Sequence, residues 1–354
     1  MKLLKQINFF LVLFPLLIFA FGFMVLLSTS VSLVSNQLLF FVVGFVLFWA
    51  VSLIDYTVYR YYWKWLYVFI IILLLITFVF GQRTFGALSW LAIGQYTIQP
   101  SEFAKIIIIL MSASLIASKE NFLKSFKNIT YLVLFLVPII SLVMLQPDLG
   151  TSLVILVTFF SILFYSGIDK FVFIIIISLG GIFSAPFWDA LAPYQKERIL
   201  VFLNPSLDRL GSGYNVIQSL IAVGSGGFWG KGFGMGTQSH LQFLPVYWTD
   251  FVFAAFAEEW GFVGVILLLA FFLGLFISIL YISLKTNDFF GSIICIGVFS
   301  VFFFQFVINV GMNVGIMPVT GIPLPLVSYG GSSMLTSFIL LGLVHSVWIY
   351  KRFW

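Results

Sequence analysis

The segment from Leu66 to Phe80, LYVFIIILLLITFVF, is apolar on every side, and many runs of this kind recur along the chain. A hydrocarbon core about 30 Å thick needs about 20 apolar residues per helical crossing. Only helices and closed barrels satisfy their own backbone in lipid. A barrel strand alternates apolar and polar residues over roughly 10 positions, which these runs do not do. Charged residues are 8% of the 354, where an ordinary soluble domain has about 25%. The expected fold class is therefore an all-α polytopic membrane protein.

Hydropathy places ten candidate spans, at about 8–28, 37–54, 66–80, 102–118, 131–146, 149–167, 170–187, 251–283, 289–312 and 330–350. The start, MKLLKQIN and then Phe9 to Leu27, has the basic flank of a signal peptide. Its apolar run is longer than the usual h-region and no A-x-A site follows, so it reads as an uncleaved first span. An even number of spans puts both termini on one side. If that side is the cytoplasm, the inner segments hold Lys2, Lys5, Arg60, Lys64, Lys119, Lys124, Lys127, Lys170, Lys285, Lys351 and Arg352. The outer loops hold Arg83, Lys196, Arg198, Arg209 and Lys231, and Lys105 lies within a span. Such a bias places the inside. The net charge of +5 is thus read as cytoplasmic anchoring charge and not as a nucleic-acid surface.

One extramembrane segment is long, residues 188–249, and with no internal repeat or linker in view the chain reads as a single transmembrane domain, 1–354. The single cysteine, Cys295, lies in an apolar run, and the two histidines are His240 and His345. Disulfide frameworks and Cys/His zinc sites are excluded. An ionisable group inside a span is a functional hypothesis by default. Of the twelve acids, Asp55, Glu120, Asp169 and Asp288 fall in inner segments, and the other eight are placed at the outer side. Any chemistry is expected there.

Three motifs carry five of those outer acids, and a glycine run and a Gly/Pro-rich stretch stand beside them. In QPSEFAK, Gln99 to Lys105, Pro100 and Ser101 suit a helix start, and Glu102 and Lys105 are i,i+3 neighbours on one face. They form either a cavity-lining pair or a structural one. In QPDLGTS, Gln146 to Ser152, Asp148 either caps the following helix or serves a site. GSGGFWGKGFGMG, Gly224 to Gly236, fails the phosphate-loop pattern, because Ser225 stands where Gly is needed and Gly232 where Ser or Thr is needed. Its backbone N–H groups with Lys231 suit an anion such as pyrophosphate, or else the run is simply a turn-rich loop. In LQFLPVYWTDFVFAAFAEEWGFVG, Leu241 to Gly264, Asp250 stands where an aromatic loop enters an apolar helix. A carboxylate there can deprotonate the hydroxyl of a lipid-linked substrate, or cap the helix. Glu258 and Glu259 lie two turns deeper, with structural pairing and catalysis both open. Finally, NVGMNVGIMPVTGIPLPLVSYGGSS, Asn309 to Ser333, interrupts two spans with Gly and Pro and reads as a re-entrant cavity wall before the last helix.

Taken together and in this order, these motifs resemble the SEDS family (shape, elongation, division and sporulation), the RodA/FtsW polytopic glycosyltransferases, across nearly the whole chain. GYNVIQS (Gly213 to Ser219), GSGG (Gly224 to Gly227) and GTQS (Gly236 to Ser239) are written in the RodA style, and long terminal tails are absent. One departure from the family pattern is Val246-Tyr247-Trp248, less polar than usual on the approach to Asp250. The resemblance implies polymerisation of lipid II into peptidoglycan glycan strands during elongation, with release of undecaprenyl pyrophosphate. It makes Asp250 the catalytic residue, chemically a general base, and Glu102, Lys105 and Asp148 polar groups of the substrate cavity. Arg198 and Lys231 are the candidates for pyrophosphate contact. A divalent cation, Mg2+ or Mn2+, fits the charge of the leaving group, although no pattern here displays a metal site. Implied partners are a class B penicillin-binding protein and other elongation-complex membrane proteins. The location implied is the bacterial inner membrane, with the site facing outward. A lipid II flippase or transporter is the alternative, since broken helices and intramembrane charge also suit alternating access. A non-catalytic scaffold is a third reading.

Overall fold

The computed structural model describes residues 7–84, 87–94, 96–174, 178, 193–204, 208 and 211–350. Its membrane-embedded helices follow the apolar runs: α1 Phe9–Thr29, α2 Val31–Ser52 and α3 Tyr59–Phe80. After a small sheet come α4 Pro100–Ile116, α5 Phe126–Leu145 and α6 Leu149–Tyr165. The long loop contributes α7 Pro193–Leu203, α8 Ser212–Ser225 and the single turn α9 Thr237–His240. The chain ends in α10 Val252–Lys285, α11 Phe289–Asn313 and α12 Gly331–Tyr350. Seven of these helices are long and apolar enough to cross a membrane, and α6 is a shorter apolar helix. The span expected at 170–187 lies mostly outside the described residues.

The all-α expectation needs one addition. Residues 82–98 form a three-stranded antiparallel sheet, β1 Gln82–Thr84, β2 Ala87–Ile93 and β3 Tyr96–Ile98, in the order β1-β2-β3. Leu91 faces Ile98 and Ile93 faces Tyr96, with the chain turning through Gly94 at a φ of +64°. Consecutive short strands joined by a glycine turn pair locally, and hydropathy over a membrane-length window does not see them.

By contact the residues cluster into two compact units, and α2, α7, α10, α11 and α12 contribute to both. The first comprises 1–49, 197–278 and 302–341. Aromatic packing dominates it: Phe19 stacks on Phe41 at 4.0 Å, Phe338 meets the edges of Phe41 and Phe45, and Phe21 packs against Phe256 and Trp260. Between helices in lipid, close van der Waals packing drives association. Gly22 shows it, since a Cβ there would lie 2.4 Å from the carbonyl oxygen of Val327.

The second unit comprises 50–196, 279–301 and 342–354. Its centre is α4, in which every residue but Phe103 is buried, as expected for a helix apolar on all sides. Around it, Trp63, Tyr67 and Tyr131 each set a ring edge-on to Phe135. Tyr67 and Gln146 donate to the carbonyls of Phe135 and Leu74. Outward-facing Tyr61, Trp65, Phe69 and Ile72 on α3 remain exposed, a face suited to lipid.

Candidate active site

Asp250 sits in the turn that leads into α10, and the surrounding backbone is held at several points. Asn309 and Asn313, both fully buried and one helical turn apart on α11, donate side-chain amide hydrogens to the Asp250 carbonyl at 3.1 and 3.0 Å. Asn309 also donates to the carbonyl of Ile322 at 2.8 Å, and Asn313 Oδ1 accepts from the N–H of Ala254 at 3.1 Å. The irregular segment 314–330 closes over this turn. Ser328 Oγ donates to the Thr249 carbonyl at 2.6 Å, and the Tyr329 N–H donates to that of Trp248 at 2.8 Å. The backbone of Asp250 is therefore tied to α11 and to the re-entrant segment, which fixes the position from which its carboxylate projects.

Arg198, from α7, is the charge that faces it. Both groups converge over Gly321, where a Cβ would lie 3.5 Å from Arg198 Nη1 and 3.6 Å from Asp250 Oδ2. Gly321 has a φ of +75°, which other residues rarely adopt, so both its conformation and its lack of a side chain keep this space clear. Burial pushes the Asp250 carboxyl above its ordinary range, while the Arg198 guanidinium and a hydrogen bond from Thr249 pull it back. A carboxylate in this condition is a stronger base than one in water. Arg198, the candidate for pyrophosphate contact, has its guanidinium beside the candidate base.

Tyr247, in the departure from the family pattern, turns inward. It is buried, its hydroxyl accepts from Ser30 Oγ and donates to the Thr29 carbonyl, both at 3.3 Å, and its ring meets Trp248 edge-on.

The glycine run and the paired glutamates form a separate assembly that alters the reading of Lys231. α10 is broken at Gly261, whose φ of 63° and ψ of −165° are not helical. The break leaves unpaired the carbonyls of Glu258 and Glu259 and the N–H groups of Phe262 and Val263. The glycine run supplies all four partners. Lys231 N–H and Gly232 N–H donate to the two carbonyls, both at 3.0 Å, and the carbonyls of Gly227 and Phe228 accept from the two N–H groups at 2.9 and 3.2 Å. Those backbone N–H groups are therefore committed within the fold, and the expected anion nest is not formed by them. The Lys231 ammonium is likewise engaged. It meets Glu258 Oε1 at 2.6 Å and Thr237 Oγ1 at 2.8 Å. Glu258 also accepts from the N–H groups of Thr237 and Gln238 and so caps α9. Glu259 accepts from Ser28 at 2.7 Å and faces His240 at 3.3 Å. The structure thus resolves the open reading of these two acids toward structural pairing.

In the second unit the two outer motifs meet. Glu102 and Lys105 form the i,i+3 ion pair at 2.7 Å, with side chains 4% and 1% exposed. Asp148 caps α6 through the N–H of Thr151 at 3.0 Å, and its other oxygen accepts from Gln99 Nε2 at 2.8 Å and Ser101 Oγ at 3.0 Å. Asp148 is therefore the staple between QPSEFAK and QPDLGTS. Among the described residues no three His, Cys, Asp or Glu side chains gather to hold a metal.

The sequence matches the FtsW/RodA/SpoVE cell cycle protein family over residues 2–352. The chain belongs to this family. It is 34% identical over 386 residues to the peptidoglycan glycosyltransferase RodA of Treponema pallidum, with 88% of each chain covered. It is 42% identical over 275 residues to the peptidoglycan glycosyltransferase MrdB of Escherichia coli K12, covering 77% of this chain and 74% of that one. A solved chain from a peptidoglycan synthase complex that coordinates polymerization and crosslinking superposes with a TM-score of 0.83 at 31% identity, covering 98% and 99% of the two chains. With seven candidate spans and these relatives, the chain is an integral bacterial membrane protein.

Within this FtsW/RodA/SpoVE fold, the residues that the sequence reading passed over are Asn309, Asn313, Ser328 and Gly321. A signal for the first two existed: uncharged amides four residues apart in an apolar run share one helix face and require buried partners. Attention to charged groups alone overlooks them.

Proposed function

We propose that this chain is a peptidoglycan glycosyltransferase that polymerises lipid II into glycan strands during elongation, with Asp250 as general base. The observation that carries the assignment is the Asp250 carboxylate, raised in basicity by burial, fixed by the backbone bonds of Asn309 and Asn313, and converging with Arg198 over Gly321. In the reaction Asp250 takes the proton of the acceptor 4-hydroxyl as that oxygen bonds to the anomeric carbon of the donor. The bond from that carbon to undecaprenyl pyrophosphate breaks, and its electron pair leaves on the phosphate oxygen. Arg198 holds Asp250 ionised between turnovers and presents a cation to the departing pyrophosphate.

Magnesium is usually held by one or two carboxylates together with substrate phosphates. A lone carboxylate beside an arginine does not make a protein cage. We therefore assign the divalent cation to the pyrophosphate as it arrives, and no step above depends on it. Both termini lie in the cytoplasm and Asp250 faces outward, a reading supported by the distribution of Lys and Arg. The transpeptidase partner is a class B penicillin-binding protein, in keeping with the synthase complex that the fold matches.

The test is polymerisation of lipid II by the purified, reconstituted protein. Wild type should make glycan polymer, and Asp250→Ala and Asp250→Asn should lose on the order of 10²–10⁴ of the rate, with Asp250→Asn unfolding at no lower temperature than wild type. A fully active Asp250→Asn removes the assigned base. Lipid II scrambling that survives the substitution, without polymer, moves the assignment to a flippase.

A further inference from the structure

At the end of the second unit opposite Asp148, the chain forms a cavity of about 530 Å³. Its floor is apolar, with the buried Ile116, Phe122 and Leu123, and its rim carries Lys119, Glu120, Asn121, Lys124 and the exposed ring of Phe289. Ser166, at the C-terminus of α6, lines one wall. Its hydroxyl is buried and makes no hydrogen bond. A buried polar group without a partner calls for an explanation.

The end of a helix exposes carbonyls that repel anions, and both α4 and α6 end here, so the sign of the cavity depends on whether those carbonyls are satisfied. On α6, the carbonyls of Ile162, Leu163 and Phe164 accept from the N–H groups of Ser166, Ile168 and Gly167. On α4, the Leu115 carbonyl accepts from both the N–H and the hydroxyl of Ser118. The Ala117 carbonyl accepts from the Arg60 guanidinium at 2.6 Å. With these carbonyls occupied, the rim side chains, Lys119 and Lys124 against Glu120, leave the recess with a net positive charge. Beside the cavity the molecular surface turns apolar, with Phe126, Phe164 and Phe171 at 78%, 68% and 72% exposure. That is a surface for acyl chains, reached directly from a polar, basic recess.

We propose that this cavity is a binding site for the phosphodiester headgroup of an anionic phospholipid whose polar end carries hydroxyl groups. The phosphate lies between Lys119 and Lys124 and accepts from Ser166 after rotation of its hydroxyl. A headgroup hydroxyl donates to Glu120, and the chains run over Phe126, Phe164 and Phe171. The acidic rim residue disfavours a bare phosphate ion, which carries more negative charge at neutral pH than a phosphodiester and has no chains for the exposed phenylalanines. None of these residues belongs to the Asp250 site, so the assignment is independent of the proposed glycosyltransferase reaction.

The test uses the full chain, delipidated in detergent, titrated with phosphatidylglycerol or phosphatidylcholine and read by native mass spectrometry. Wild type should retain one phosphatidylglycerol in preference to phosphatidylcholine. The pair Lys119→Gln and Lys124→Gln should lower that retention about thirtyfold, from roughly one electrostatic contact per lysine. Ser166→Ala should lower it by a smaller factor, and Lys64→Gln with Lys285→Gln, removing basic residues that do not line the cavity, should leave it unchanged. Equal retention of the two lipids, or equal loss in the control pair, overturns the proposal. Displacement of the lipid by millimolar inorganic phosphate overturns the choice of a lipid as the source of the phosphate.

Discussion

Asp250 illustrates how one side chain can weigh on folding and function in opposite directions. Its folded pKa is raised by burial, so the folded state holds the proton more tightly than the unfolded chain. Its contribution to stability is complete below the ordinary carboxylate pKa and is lost as pH rises through the folded value. A general base works only when deprotonated, so in the role proposed for Asp250 the polymerisation rate should climb over the same interval. Replacing Arg198 by Gln removes the nearest compensating charge. The acid limb of the rate profile should then move to higher pH by on the order of one unit, a shift measurable in lipid II assays between pH 5 and 9. An unmoved limb with a lower plateau would instead assign Arg198 to the pyrophosphate alone. At this scale, the Glu102–Lys105 pair and the Asp148 cap were legible, because spacing along a helix and the identity of a capping residue are local properties. The engagement of Lys231 by Glu258 was not legible, since the partners are separated by 27 positions and meet only because a helix breaks.

Elements tell a similar story about range. The span from 251 to 283 reads as one uninterrupted apolar stretch, and the break at Gly261 leaves no mark on hydropathy. What creates it is the insertion of the glycine run, whose backbone approaches too closely for a side chain. A Cβ on Gly230 would lie 2.1 Å from the Glu259 carbonyl oxygen, and its φ is +81°. Gly224, in the last turn of α8, has nothing within 4 Å of the equivalent position. Gly230→Ala should therefore cost about 2 kcal/mol or more, through strain and loss of the bridging bonds. Gly224→Ala should be neutral or favourable by up to about 1 kcal/mol, as in any helix interior. Thermal unfolding midpoints in detergent separate the two cases. Equal midpoints would mean that the glycine run is not fastened to α10 as described. The ends of most helices were close to those expected, while the small sheet escaped detection because strands of three to seven residues fall below the length over which hydropathy speaks.

For the whole molecule, the distribution of Lys and Arg sets the expected orientation, and the chain offers a convenient way to check it. Cys295 is the single cysteine and is buried. In a Cys295→Ser background, Lys285→Cys should react with a membrane-impermeant maleimide only after the cells are opened. Gly224→Cys should react in intact spheroplasts. The reverse pattern would invert the topology and place Asp250 in the cytoplasm. Membrane class and family were legible across the full length because composition and ordered motifs survive without knowledge of contacts. The division into two compact units was not, because five helices run through both. The splice at Gly261 also has a consequence for biogenesis. Residues 227–232 leave the ribosome before 258–263, so the segment that completes α10 is already delivered when the helix itself is inserted. Correct assembly then depends on that earlier loop waiting on the proper side, and a variant that delays its translocation would yield a helix with four backbone groups unpaired in lipid, a substrate for membrane quality control.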